Sequence, residues 1–183
     1  ELFDSVGFTG VRVATDERML PDSLRGYAPV VRGVAETNAR VTVRQRGVLL
    51  DEVSVAPGPF VLNDLFPTGY GGDLNVTITE ADGRTREFIV PFAANANLLR
   101  PGHSRYSLSI GQLDEIGLRH PPTLMQATYQ HGLSNLLTGY TGAVFADNYR
   151  SQLLGAAFNT RLGALSLDLT HSNAYLPGHG SRE

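Results

Sequence analysis

The 183-residue chain contains no cysteine and no tryptophan. Without cysteine it can build neither a disulfide framework nor a thiolate metal site, which leaves its compartment open between cytosol and periplasm. It also lacks an excess of charge of one sign. Fifteen basic and 18 acidic residues give a formal net charge of −3, so no basic field for nucleic acid or anionic lipid is expected. No apolar run approaches the roughly 20 residues that a membrane-spanning helix needs. The opening residues, ELFDSVGF, have neither the basic start nor the apolar core of a signal peptide. The chain therefore reads as mature, cytosolic, or a fragment cut from something longer, and the fragment is the reading favoured.

Glycine is abundant instead, at 20 residues, and with few helix formers it predicts a chain rich in turns. The middle third reads as short strands. In ARVTVRQRG, Val41, Val43 and Gln45 alternate with Arg40, Thr42, Arg44 and Arg46, the two-residue period of a strand with one wet face. DLNVTITEADGRTREFIVPF repeats that period, turns at Asp82-Gly83 and returns through Phe88 and Val90. It is a hairpin signal, because Asp-Gly supplies positive φ at low cost. With VVRGVA, VLLDEVSV and PFVLNDL added, residues 27–92 hold about six strands at the turn spacing of a small sandwich.

The last third has a different grammar. RYSLSIG and ALSLDLTHSN place Tyr106, Leu108, Ile110, Leu165, Leu167 and Leu169 opposite small polar groups, among them Ser166, Asp168 and Thr170. Between them lie segments of about ten residues, tyrosine-bearing and separated by short Asp/Asn/Gly turns. Ser, Thr, Gly and Gln suit a crowded or water-filled lumen, so the pattern fits an outer-membrane barrel, with an ordinary soluble sheet as the alternative. VGFTGVRVAT, near the start, fits the barrel third better than the middle. The chain thus reads as a barrel strand and lead-in over residues 1–26, an inserted sandwich over 27–92, and a linker with further barrel strands over 93–183.

No catalytic constellation emerges. The glycine cluster GPFVLNDLFPTGYGGD has no Lys-Ser/Thr pair and runs directly into a strand, so it is expected to be a set of turns rather than a phosphate cradle. Glu80 and Asp82 sit at a hairpin tip and read as solvated turn residues rather than an acid–base pair. The histidines lack metal-ligand spacing, and no Gly-x-Ser-x-Gly elbow is present. Arg40, Arg44 and Arg46 read as a solvated strand face, with a polar contact surface to a barrel wall as the sharper alternative. No cofactor or metal site is expected.

The strings DERMLPDSLRGYAPVVRGVAETNARVTVRQRG, VAPGPFVLNDLFPTGYGGDLNVTITEADGRTREFIVPF and LLRPGHSRYSLSIG resemble the central region of the outer-membrane usher of bacterial chaperone-usher pilus systems. The resemblance covers nearly the whole chain. It implies an all-β fold, a small β-sandwich plug inserted between strands of a transmembrane barrel that is only partly present. It also implies a non-enzymatic protein of the bacterial outer membrane, whose plug occludes the secretion pore at rest and is exposed to the pore lumen or periplasm. Its implied partners are periplasmic chaperone–pilin subunit complexes, the remaining usher barrel with its periplasmic domains, and outer-membrane lipid. Carried onto this sequence, Pro21, Asp22 and Gly26 lead into the plug, Pro57, Gly58, Asp64, Gly69 and Gly72 make its turns together with Asp82 and Gly83, and Pro91 closes it. Ser166, Asp168 and Thr170 become lumen-facing wall positions, and docking of the plug is expected to rest on polar contacts. The rival reading is a soluble extracellular β-sandwich that binds a protein or carbohydrate.

Overall fold

In the computed structural model, residues 8–68, 71–93, 97–113, 122–160 and 163–174 are described. Among them are twelve strands, which make three antiparallel sheets, and two short 3-10 turns. Among these residues no helix is long and apolar enough to cross a membrane.

Six strands lie between the two linkers: β2 (Val31–Ala35), β3 (Ala39–Gln45), β4 (Val48–Val55), β5 (Gly58–Leu62), β6 (Leu74–Glu80) and β7 (Thr85–Val90). β2 pairs with β5, and β4, β3, β6 and β7 form a four-stranded sheet in that order. The alternation of β3 is realised as written, with Val41, Val43 and Gln45 buried and Arg40 and Arg44 exposed. The β3–β4 hairpin turns at Arg46 and Gly47, both at positive φ (49° and 84°), which matches the twist of the flanking strands. The β6–β7 hairpin turns through Asp82 and Gly83; Gly83 takes φ 87° and the Asp82 carboxylate accepts from the Arg84 amide at 3.0 Å. The two sheets bury Val31, Val41, Val43, Leu74, Val76 and Phe60 between them.

Glu80 corrects the reading of a solvated hairpin acid. Its side chain is only 1% exposed. The carboxylate accepts from the amides of Glu36 (3.1 Å) and Thr37 (2.9 Å), from the Thr37 hydroxyl (2.7 Å) and from Arg86 (2.9 Å). It closes the β2–β3 turn onto the end of β6. The Thr37 hydroxyl and the Glu36 amide hold its pKa down at about 2, against the usual 4.5. The depressed value makes its contribution complete above the ordinary carboxylate range and lost as pH falls from about 5 toward 2. An isolated 27–92 segment should therefore unfold cooperatively, with stability near the low end of the range for small domains, about 5 kcal/mol. In urea titrations over pH 2–7, Glu80→Gln should lower the pH 7 midpoint and flatten the acid limb. An unchanged pH profile would remove Glu80 from this role.

The remaining strands form one antiparallel sheet in the order β1 (Phe8–Ala14), β8 (Ser104–Leu113), β9 (Thr123–Gly132), β10 (Leu137–Ala146), β11 (Tyr149–Thr160) and β12 (Gly163–Ala174). β1 pairs with β8 across the whole insertion, Val11 opposite Ile110 and Val13 opposite Leu108. Cross-strand partners share a face, so the register sorts every wall residue. Val11, Ile110, Met125, Phe145, Leu154 and Leu167 all fall on one face and are exposed. The opposite face carries Ser109, Gln130, Thr138, Tyr140, Ser151 and Asn159, all buried. Relative to a soluble protein the sheet is inside out.

Candidate functional site

Both linkers of the inserted domain leave the same end of the six-stranded sheet, beside the β9–β10 turn. The first linker runs from Thr15, whose amide donates to the Tyr106 carbonyl at 2.9 Å. Asp16 caps a 3-10 turn at Glu17–Met19 and pairs with Arg18 at 2.6 Å, which holds its carboxyl at about 2. Glu17 accepts from the Nε of Arg105 on β8 at 2.9 Å, tying the linker to the wall. A second 3-10 turn at Asp22–Leu24 follows Pro21, and Gly26 takes φ 73° before the chain enters the domain. The second linker is fixed by the Leu99 amide, which donates to the Thr138 hydroxyl of β10 at 3.0 Å. It is fixed also by Gly102 and His103, which exchange backbone hydrogen bonds of 2.8 and 3.0 Å with Gly132.

Between these anchors two asparagines of the wall, Asn135 and Asn159, hold the domain by hydrogen bonds. Asn135, in the β9–β10 turn, behaves like a strand partner: its Oδ1 accepts from the Val30 amide at 2.8 Å and its Nδ2 donates to the Val30 carbonyl at 2.7 Å. The Tyr27 hydroxyl donates to the Asn135 carbonyl at 2.7 Å and accepts from Asn159 Nδ2 at 2.8 Å. The same Nδ2 lies 2.9 Å from the Pro91 carbonyl oxygen, so one buried amide meets both ends of the domain. Burial pushes the Tyr27 phenol up to about 12, against the Asn159 hydrogen bond that pulls it down. The phenol is therefore a permanent donor at any physiological pH. The Tyr27 and Phe92 rings, which flank strands β2 to β7, stand 5.7 Å apart.

The expectation of a purely polar seat is corrected here. The apolar cluster of the sandwich runs on through Phe92, Ala93 and Leu98 into the wall at Tyr140, Leu153 and Ala157. The Tyr140 ring lies across Gly155, where an added Cβ would come within 2.3 Å of it, and its hydroxyl donates to Asp168 Oδ1 at 3.1 Å. Arg40, Arg44 and Arg46 take no part among the described residues: they bind Glu52, the Gly47 carbonyl and the Gly71 carbonyl respectively.

Of the other positions singled out in the sequence, Pro57 lies in a bend, whereas Gly58 is corrected from a turn to the first residue of β5, at φ 120°. Asp64 lies in the loop after β5, and Gly69 lies outside the described residues. Gly72 accepts from Gln45 at 2.8 Å and donates to the Phe92 carbonyl at 2.8 Å, so the glycine cluster ties β3 to the end of the domain and binds its own chain. Ser166, Asp168 and Thr170 share the wall face of Ala157, Tyr140 and Leu153. Among the described residues no three His, Asp or Glu side chains converge at metal-binding distance. Sequence reasoning missed Asn135 and Asn159. The available signal was their amide chemistry near strand ends, in a wall whose other polar groups are mostly hydroxyls.

A family model described as outer membrane usher protein matches residues 1–182. The outer membrane usher protein MrkC of Klebsiella pneumoniae is 52% identical over 172 residues, which cover 94% of this chain and 21% of MrkC. HtrE of Escherichia coli K12, also an outer membrane usher protein, is 49% identical over 178 residues, 97% of this chain and 21% of HtrE. The chain thus spans about a fifth of the length of these relatives. Among solved structures it is similar to the translocation pore of the P pilus usher PapC, with 38% identity, a TM-score of 0.50, and coverage of 97% of this chain and 36% of that one. It is also similar to the E. coli P pilus tip assembly intermediate PapC-PapD-PapK-PapG in its second conformation, with 39% identity, a TM-score of 0.62, and coverage of 100% and 22%. With the family model matching nearly every residue and an all-β wall carrying an inserted sandwich, the chain belongs to the outer membrane usher family.

Proposed function

We propose that this chain is the gate-bearing part of an outer-membrane usher: six strands of the wall of a pilus-subunit secretion pore, and a plug, residues 27–92, that occludes the pore at rest. The observation that carries this reading is the choice of face. The plug is held by the polar and small-residue face of the sheet, while the row Leu165, Leu167 and Leu169 is left 63–77% exposed. A closed barrel would point that apolar row at lipid and the plug-bearing face, with Ser166, Asp168 and Thr170, at its lumen. A soluble binding module would instead leave a continuous apolar wall in water.

In this role the protein performs no chemical conversion. Its partners are periplasmic chaperone–pilin subunit complexes, the rest of the usher barrel with its periplasmic domains, and outer-membrane lipid. The seat fits a reversible closure: the hydrogen bonds made by Asn135, Asn159 and Tyr27 join neutral groups, each worth about 0.5–1.5 kcal/mol net because water replaces them on release. Rigid sheets on both sides let the plug leave as a folded body.

A groove of about 420 Å³ runs between plug and wall, lined by Arg32, Ile89 and Val90 on one side and Leu133 and Leu136 on the other. The stretch has no native cysteine. With Ile89→Cys and Leu136→Cys introduced together in the full-length usher, a short bis-methanethiosulfonate cross-linker, which forms reducible disulfides to both thiols, should block pilus assembly. Cleavage should restore it, and neither single variant should respond. Pili assembled at the normal rate by the cross-linked protein would refute the gate.

A further inference from the structure

We propose that Arg100 is the latch of the plug: it is anchored to the wall through its backbone and holds both the plug and the first linker by their carbonyl oxygens, so that opening requires these bonds to break. The inference rests on the gating role proposed above and adds the residue that sets the closed position.

Arg100 is 3% exposed, in a linker whose neighbouring side chains, Leu98 and Leu99, are also buried. Among the described residues its guanidinium forms no ion pair with a carboxylate. Nε donates to the Gly26 carbonyl at 3.0 Å, Nη1 to Asn63 at 3.0 Å, and Nη2 to Leu65 at 2.8 Å and to Ser23. Gly26 and Ser23 belong to the first linker, while Asn63 and Leu65 belong to the plug loop after β5. One planar fork therefore joins three chain segments, a geometry that a lysine ammonium cannot reproduce.

The backbone of Arg100 is part of the wall. A Cβ at Gly132, the last residue of β9, would lie 2.1 Å from the Arg100 carbonyl oxygen and 2.7 Å from that of Leu99, so the linker rests directly on the strand. The Leu99 bond to Thr138 and the Gly102 bond to Gly132 fix it on either side. When the plug leaves, Arg100 stays behind and its carbonyl partners move away. Opening returns these carbonyls to water and leaves the buried Arg100 cation to be rehydrated where it stands, a cost that favours the closed state. Burial lowers the Arg100 pKa, and the nearby Asp64 charge works against that burial.

The test uses the full-length usher with Arg100→Lys, Arg100→Ala, and a deletion of residues 27–92 as the open reference. Folded barrel in the outer membrane is measured by heat-modifiable gel mobility, and open probability in planar lipid bilayers. Both Arg100 variants should accumulate as folded barrel and raise the open probability by about tenfold or more, as expected for a closed state that has lost several coupled hydrogen bonds. Locking Arg100→Ala with the Ile89–Leu136 cross-link should return it to the closed level. Variants as closed as the parent, beside an open deletion mutant, would overturn the latch and leave the gate standing. A deletion mutant that is itself closed would overturn the gate. Failure of both Arg100 variants to accumulate as folded barrel would overturn the latch in favour of a role in assembly.

Discussion

Deleting residues 27–92 from the full-length usher should turn an outer membrane that excludes large antibiotics into one that admits them. The deletion joins Gly26 to Ala93, two positions brought close by the seat, since the Tyr27 and Phe92 rings next to them are 5.7 Å apart. A short glycine bridge can span the join without disturbing β1 or β8. The six wall strands keep their own ladder hydrogen bonds, because the plug contributes no strand to that sheet. The lumen of a barrel built to surround a folded domain is then empty. Barrels of porin size already leave an aqueous channel, so sensitivity to a large antibiotic should rise by roughly tenfold or more. The measurement is the inhibitory concentration in cells making equal amounts of folded usher. Unchanged sensitivity would mean that something other than this domain closes the pore.

The second large effect separates the two faces of β12 at adjacent residues. Leu167 is 71% exposed, flanked by Leu165 and Leu169 on its own strand and paired with Ala156 on β11. In the full-length usher Leu167→Arg should destabilise barrel assembly by roughly 2–4 kcal/mol, the usual penalty for a basic side chain on the lipid face near mid-bilayer. Asp168→Asn should be nearly silent. Its Oδ1 accepts from the Tyr140 hydroxyl at 3.1 Å, and an amide oxygen accepts the same bond. The readout is the fraction of usher recovered as folded barrel from outer membranes. Equal tolerance at the two positions would sink the face assignment.

Much of the architecture was legible because it is written locally. The period of Val41, Val43 and Gln45, and that of Leu165, Leu167 and Leu169, needs no tertiary information, since side chains alternate across any strand. The Asp82-Gly83 turn was legible for the same reason: glycine takes φ 87° there with nothing within 4 Å of an added Cβ. Glu80 was misread because a hairpin acid and a buried turn cap look alike in sequence. What distinguishes them is the β2–β3 turn, 43 and 44 residues away, that brings the Thr37 and Glu36 amides to its carboxylate. Gly58 was misread because a glycine at positive φ can open a strand as well as turn a chain.

By itself, then, the sequence determined the strands and the change of grammar between a water-facing sandwich and an inside-out wall. Both follow from composition and from a two-residue period that acts within a few positions. Only the tertiary structure decided that β1 closes on β8 across the insertion, that Asn135 and Asn159 form the seat, that apolar packing at Tyr140 and Leu153 joins the polar contacts, and that Arg100 gathers carbonyls from two other segments. Those features depend on pairs of residues distant along the chain. A lone Asn or Arg in sequence says what it can bond to; the packing of plug on wall says which carbonyl is within reach.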